Sequence, residues 1–229
     1  MKHFLVLALG VFSLAQISFA GALAGKAVFK GTAPKAVAIK MNADPVCAKA
    51  NTGKTINKED VVLGAGGSLE NVVVYVKEGL KGAAPAAAAT PVTLDQVGCM
   101  YRPHIAVLRT NQPLKIVNSD PTMHNVHSFP KANPGFNVGM ATKGQTVEKK
   151  FAKPEQMIRV KCDVHGWMSS YIGVFDHPYF AVTDASGAFS IKDLPAGEYT
   201  VEAWHEKLGT KSQKVTVTDA GGSLEVTFN

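Results

Sequence analysis

Residues 161–170 read KCDVHGWMSS, which places a thiol, an imidazole and a thioether on one short stretch as C-x2-H-x2-M: Cys162, His165 and Met168. Three such groups can face one metal ion, but one thiol and one imidazole do not close a site. Further imidazoles lie upstream in NSDPTMHNVHSF, residues 118–129, where His124 and His127 follow the β-branched run Leu114–Val117. A histidine from that stretch, with Cys162, His165 and Met168, gives two imidazoles, one thiolate and a nearby thioether. That donor set belongs to mononuclear copper centres that exchange one electron. Thiolate and thioether suit the reduced ion, and imidazole suits both oxidation states. Structural zinc takes four strong N or S ligands and rarely uses Met. A paired-copper centre needs a second cysteine on the loop, and a three-copper cluster needs H-x-H pairs; the chain has neither. Cys162 and His165 share one loop without a third orienting group. That is ligand spacing rather than a nucleophile–base pair, so no enzyme activity is expected.

Such ligands have to be carried by strands. Short alternating or β-branched runs recur at Lys26–Phe29, Val72–Val76, Ile105–Leu108, Leu114–Val117, Thr146–Phe151, Met157–Lys161, Tyr171–Phe175, Ala188–Ile191, Tyr199–Ala203, Lys214–Val217 and Leu224–Phe228. Turn signals separate them, such as Asn133-Pro134-Gly135 and Ala220-Gly221-Gly222. Helical periodicity is absent, and the pattern predicts an all-β chain of sandwiches. GAAPAAAATP, residues 82–91, reads as a linker or surface loop, because two prolines oppose a helix in the alanine run.

His124-Asn125-Val126 after a strand, followed by C-x2-H-x2-M between two strands, resembles the cupredoxin family over roughly residues 93–177. The loop spacing is similar to that of amicyanin. The resemblance implies a Greek-key β-sandwich holding one mononuclear copper. His124 and His165 would be imidazole ligands, Cys162 the thiolate and Met168 the axial ligand, with Asn125 joining the two ligand loops and the edge of His165 passing electrons. His127, three residues after His124, should face away from the same ion on a strand. His104 is either a core histidine or a supplementary ligand. A second resemblance covers the C-terminal part. TDASGAF at 183–189 and LPAGEYT at 194–200 look like carboxypeptidase regulatory-like domains, small transthyretin-like β-sandwiches. Their expected opening strands lie upstream, in AGKAVFKG at 24–31 and LENVVVYVKEG at 69–79. Residues 21–79 and 178–229 are therefore expected to build one sandwich, with 80–92 as linker and the metal module at 93–177 inserted.

The ends and composition bound the setting. Lys2, the apolar run Phe4–Leu14 and Ser18-Phe19-Ala20 read as a secretory signal over residues 1–20. The apolar run is short for a membrane span, so an exported, periplasmic protein without a membrane span is expected once the signal is removed. The net charge is +6, its charges scattered without a Lys/Arg block, which excludes nucleic acid as the expected partner. The chain has three cysteines. In an oxidising compartment that suggests one disulfide and one thiol kept for other work. Cys162 stands beside the His and Met, which leaves Cys47 and Cys99 as the candidate pair; three buried thiols is the other reading. Expected partners are redox proteins, such as a cytochrome or a periplasmic dehydrogenase. The alternative function is copper binding without redox traffic, as a chaperone, a store or an envelope interaction module. The sequence leaves the oligomeric state open.

Overall fold

The structure is a computed structural model that describes residues 20–87 and 89–229. The signal-peptide expectation therefore lies almost wholly outside the described residues. Strand β1 (Ala20–Phe29) is followed by helix α1 (Pro45–Ala50) and β2 (Val73–Glu78). Then come β3 (Val92–Val97), β4 (Met100–Arg102), β5 (Ile105–Arg109), β6 (Leu114–Asn118) and β7 (His124–Phe129). They lead into β8 (Asn137–Met140), β9 (Thr146–Lys149), β10 (Glu155–Lys161) and β11 (Ser169–Phe175). The chain closes with β12 (Phe180–Val182), β13 (Ala188–Pro195), β14 (Gly197–His205), β15 (Gly209–Val217) and β16 (Gly222–Phe228).

The all-β expectation holds. In the central sandwich a five-stranded sheet, β5-β11-β10-β7-β8, faces a four-stranded sheet, β4-β3-β6-β9. Hairpin neighbours (β10–β11, β7–β8, β3–β4) alternate with neighbours distant in sequence, as crossing Greek-key connections require: β11 runs parallel to β5, and β3 parallel to β6. Leu94, Tyr101, Leu114 and Ile116 from one sheet meet Val126, Ile158, Val160 and Ile172 from the other in one core. The second sandwich is built from both ends of the described chain. Its sheets are β13-β1-β16 and β12-β2-β14-β15, so β1 and β2 pair with C-terminal strands.

Val72–Val76 is apolar without alternation because β2 is covered on both faces. Val74 and Val76 enter the core of the terminal sandwich, whereas Val73 and Tyr75 enter a third cluster with Ile105 and Phe175 of the central one. The rings of Tyr75 and Phe175 lie 5.1 Å apart, and those of Tyr171 and Trp204 also 5.1 Å.

Three features depart from the sequence expectations. Strands β3, β4, β7, β8 and β12 form where no strand was expected; HNVHSF and VTLDQV mix polar residues into strands paired on both sides, and tertiary pairing overrides their composition. A short helix forms at Pro45–Ala50, with Asp44 as N-cap and Pro45 in its first turn. The stretch that carries this helix leaves the terminal sandwich altogether. Ile39, Met41, Cys47 and Ile56 pack into the central core, so the 21–79 segment serves both units.

Candidate metal centre

Two loops at one end of the central sandwich converge. The first leads from β6 into β7. Asn118 Nδ2 donates to the carbonyls of Thr122 and Met140, and its Oδ1 accepts the Asp120 N–H at 3.0 Å. These bonds fix the turn that delivers His124, which is fully buried, at the start of β7. The second loop joins β10 to β11. The Cys162 N–H donates to the Met168 carbonyl (3.1 Å) and the Met168 N–H to the His165 carbonyl (2.9 Å). The His165 N–H points at Cys162 Sγ, 3.4 Å away. This tight loop turns Cys162 and His165 inward and leaves Val164 at its exposed tip.

The donor atoms of His124, Cys162 and His165 lie within 4.8 Å of one another, and all three residues are buried. The two Nδ1 atoms are 2.9 Å apart, and Cys162 Sγ is 3.9 Å from His165 Nδ1. The other ring nitrogens define the tautomers. His124 Nε2 is 2.9 Å from Asp120 Oδ2, and His165 Nε2 is 3.0 Å from Asp44 Oδ2. A carboxylate only accepts, so each Nε2 carries a proton, which leaves the two Nδ1 atoms facing each other as acceptors. Two facing lone pairs and a thiol in a buried pocket require a cation between them: a proton or a metal ion. Burial lowers the His124 pKa, but its bonds to Asp120 and Cys162 outweigh this and raise it to about 9. Burial raises the Cys162 thiol, yet the His124 contact and backbone N–H donors bring it below its usual range. Both shifts favour a positive charge beside the Cys162 sulfur. Two imidazoles and a thiol sulfur, brought from two loops into one buried pocket, fit copper.

Met168 is fully buried on the same loop. The Asn125 side chain spans the two loops: its Oδ1 accepts the Asp163 N–H at 2.7 Å and lies 3.3 Å from Cys162 Sγ, and its Nδ2 donates to Asp163 Oδ2 and Asn137 Oδ1. His127 points away from the centre, toward Asp163 Oδ2 at 3.0 Å. Asp163 is held to about 2, first by Lys161, then by His127, Asn137 and Asn125. His104 stands apart from the three donors. Its Nε2 meets Glu206 Oε1 at 2.5 Å and its Nδ1 lies 3.6 Å from Glu59 Oε2, a clamp between the two sandwiches.

An electron port at an exposed edge of His165 is overturned. The ring is 3 % exposed, because α1 and its N-cap Asp44 cover the Nε2 edge and Trp167 packs at 5.0 Å between centroids. Cys47 and Cys99 form a disulfide beside this cover, with Cys47 Sγ 3.7 Å from His165 Nε2. Sequence reasoning missed Asp44 and Asp120. The local signals existed: Asp-Pro marks a helix start, and Asp120 lies four residues before His124. Their approach to the histidines depends on how the loops are packed.

Comparison with known proteins gives partial likenesses. A family model described as polysaccharide lyase family 4, domain II, matches residues 151–226, about a third of the chain. No curated protein matches. Among solved structures, a Cu-containing nitrite reductase from Thermus scotoductus SA-01 is 21 % identical over 43 % of this chain, with a TM-score of 0.35. The chain spans 25 % of that enzyme's length. A purple cupredoxin from Nitrosopumilus maritimus is 20 % identical, over 33 % of this chain and 81 % of its own, with a TM-score of 0.29. A reduced amicyanin variant is 17 % identical, over 44 % of this chain and 97 % of its own, with a TM-score of 0.33.

Proposed function

We propose that the chain is an exported, cupredoxin-like protein with one mononuclear copper, and that it transfers single electrons between redox partners without catalytic turnover. The carrying observation is the pair of imidazole Nδ1 atoms 2.9 Å apart beside the Cys162 thiol, each imidazole fixed from behind by a carboxylate. His124, Cys162 and His165 would hold the ion, and Met168 would supply the weak fourth ligand. Bound copper supplies one-electron exchange. The chain's own residues keep water out and hold the imidazoles in one orientation, so little rearrangement accompanies the change of charge. Electrons would enter past the Asp44–α1 cover or through the exposed Asp163–Val164 tip of the loop beside buried Cys162, and a cytochrome or a periplasmic dehydrogenase would be the partner. Buried donors also weigh against a chaperone, which hands its metal over through accessible ligands.

The test is an optical and spin-resonance spectrum of the Cu(II)-loaded protein. A strong visible band from Cys162-to-copper charge transfer is expected, lost in His124→Ala, with reversible reduction by voltammetry. Colourless copper-loaded protein with Cys162 reduced would overturn the reading.

A further inference from the structure

The two candidate ligand histidines are backed by the same construction. Behind His165, Asp44 Oδ2 accepts the Nε2–H at 3.0 Å and the Thr122 hydroxyl at 3.0 Å. Asp44 Oδ1 accepts the N–H groups of Val46 (2.7 Å) and Cys47 (3.2 Å). Behind His124, Asp120 Oδ2 accepts the Nε2–H at 2.9 Å and the Cys99 N–H at 2.7 Å, and its Oδ1 accepts the Gly98 N–H at 2.8 Å. Each carboxylate therefore grips one imidazole and the backbone of one half-cystine. The disulfide joins the half-cystines. The path His165–Asp44–Cys47–Cys99–Asp120–His124 is closed on the far side of the rings from Cys162.

The surrounding chain is shaped to keep that path closed. Gly98 and Cys99 form the two-residue turn between β3 and β4, with φ of 62° and 58°. Such a hairpin turn needs left-handed backbone at both positions, where a residue with a Cβ is uncommon. Cys99 takes it, tied by the disulfide and by Asp120. On the other side, Asn51 Nδ2 donates to the Cys47 carbonyl (2.9 Å) and to the Gly98 carbonyl (3.0 Å), fastening the end of α1 to the same turn. Trp167 Nε1 donates to the Cys99 carbonyl at 3.0 Å while its ring packs on His165.

We infer that Asp44, Asp120 and the Cys47–Cys99 disulfide form one clamp that positions both imidazoles, holding each proton on Nε2 and each Nδ1 lone pair toward Cys162. These are positioning residues, since the donor atoms proposed for copper belong to His124, Cys162 and His165, and each carboxylate oxygen is already taken by an Nε2–H or by backbone N–H groups. The clamp's effect on copper rests on the function proposed above; its effect on the rings does not. Carboxylates behind metal-bound histidines raise ligand basicity and fix orientation, and losing them costs about 10–100-fold in metal affinity.

The test has a metal-free arm and a copper arm. In the metal-free protein, nitrogen-15 NMR should find an exchange-protected Nε2–H on both His124 and His165. Asp44→Asn, which preserves an N-cap residue for α1, should remove that protection at His165 and leave His124 protected. The Cys47→Ser/Cys99→Ser pair, checked for folding by circular dichroism, should weaken protection at both. In the copper arm each variant should bind Cu(II) about 10–100-fold more weakly, with a changed copper hyperfine splitting. An unprotected Nε2–H on either ring of the wild-type protein overturns the clamp. So do folded variants with wild-type protection, affinity and spectrum. A wild-type protein that binds no copper sinks the proposed function, and the metal-free arm still decides the clamp.

Discussion

A neutral imidazole offers one donor and one acceptor, and at His124 and His165 the donors are already committed to Asp120 and Asp44. That commitment makes the histidine pair a candidate cation site. The same reasoning distinguishes the chain's other histidines. His127 and His104 bond carboxylates with nitrogens that do not converge on Cys162. Asn125 is the residue whose loss should be felt in both ligand loops at once. Asn125→Ala leaves the Asp163 N–H without its acceptor at the edge of a buried site, and should cost about 1–3 kcal/mol of stability in urea unfolding of the metal-free protein. Cys162→Ser should fold, since the side chain changes little in volume, but should lose the visible band of the copper-loaded protein.

Among elements, the β14–β15 hairpin carries a pH dependence of its own. His205, at the end of β14, is 1 % exposed, and its Nδ1 accepts the N–H groups of Lys207 and Leu208. Burial lowers its pKa to about 4. The folded hairpin thus needs the neutral ring, whereas the unfolded chain protonates near 6.5. The stabilisation is fully present above pH 6.5 and is lost as pH falls toward 4, a change of about 3 kcal/mol across the window. Thermal unfolding of the metal-free protein at pH 7, 5.5 and 4 should show this slope, and His205→Gln should flatten it. Helix α1 illustrates a different point: six residues do not make a stable helix alone. It persists because Asp44 caps it, the disulfide ties it and Cys47 is buried in the central core.

At the scale of the whole molecule, the two sandwiches share an apolar seam. Phe175 stacks on Phe180 at 4.8 Å and meets Tyr75 at 5.1 Å, with Val73 and Ile105 buried alongside. Phe175→Ala removes the ring at the centre of that seam and should cost about 3–5 kcal/mol. Because each sandwich keeps its own core, calorimetry of the variant should resolve two transitions where the wild type shows one. The copper spectrum should be unchanged, since the ligand loops lie outside the seam cluster. A single, merely shifted transition would mean that the sandwiches remain coupled by other contacts, such as the His104–Glu206 pair.

The sequence by itself determined the all-β character, most strand positions and the donor chemistry. Alternating β-branched runs can bury one face only as strands, and C-x2-H-x2-M keeps Cys162, His165 and Met168 on one short loop through covalent spacing, whereas His124 joins them only through the packing of β7 beside β10. HNVHSF was not legible as a strand, because its polar residues are accommodated by β8 and β10 on either side. Val72–Val76 was legible as a strand, but not its burial on both faces or the two different cores it enters. Tertiary structure alone decided what lies behind the histidines. Asp44 is 121 residues from His165, and Cys47 is 52 residues from Cys99. Neither separation leaves a periodic trace along the chain. Packing of α1 on the central sandwich turned an expected exposed ligand edge into a covered one, because a hydrogen-bond acceptor and a helix occupy the space that solvent would have filled.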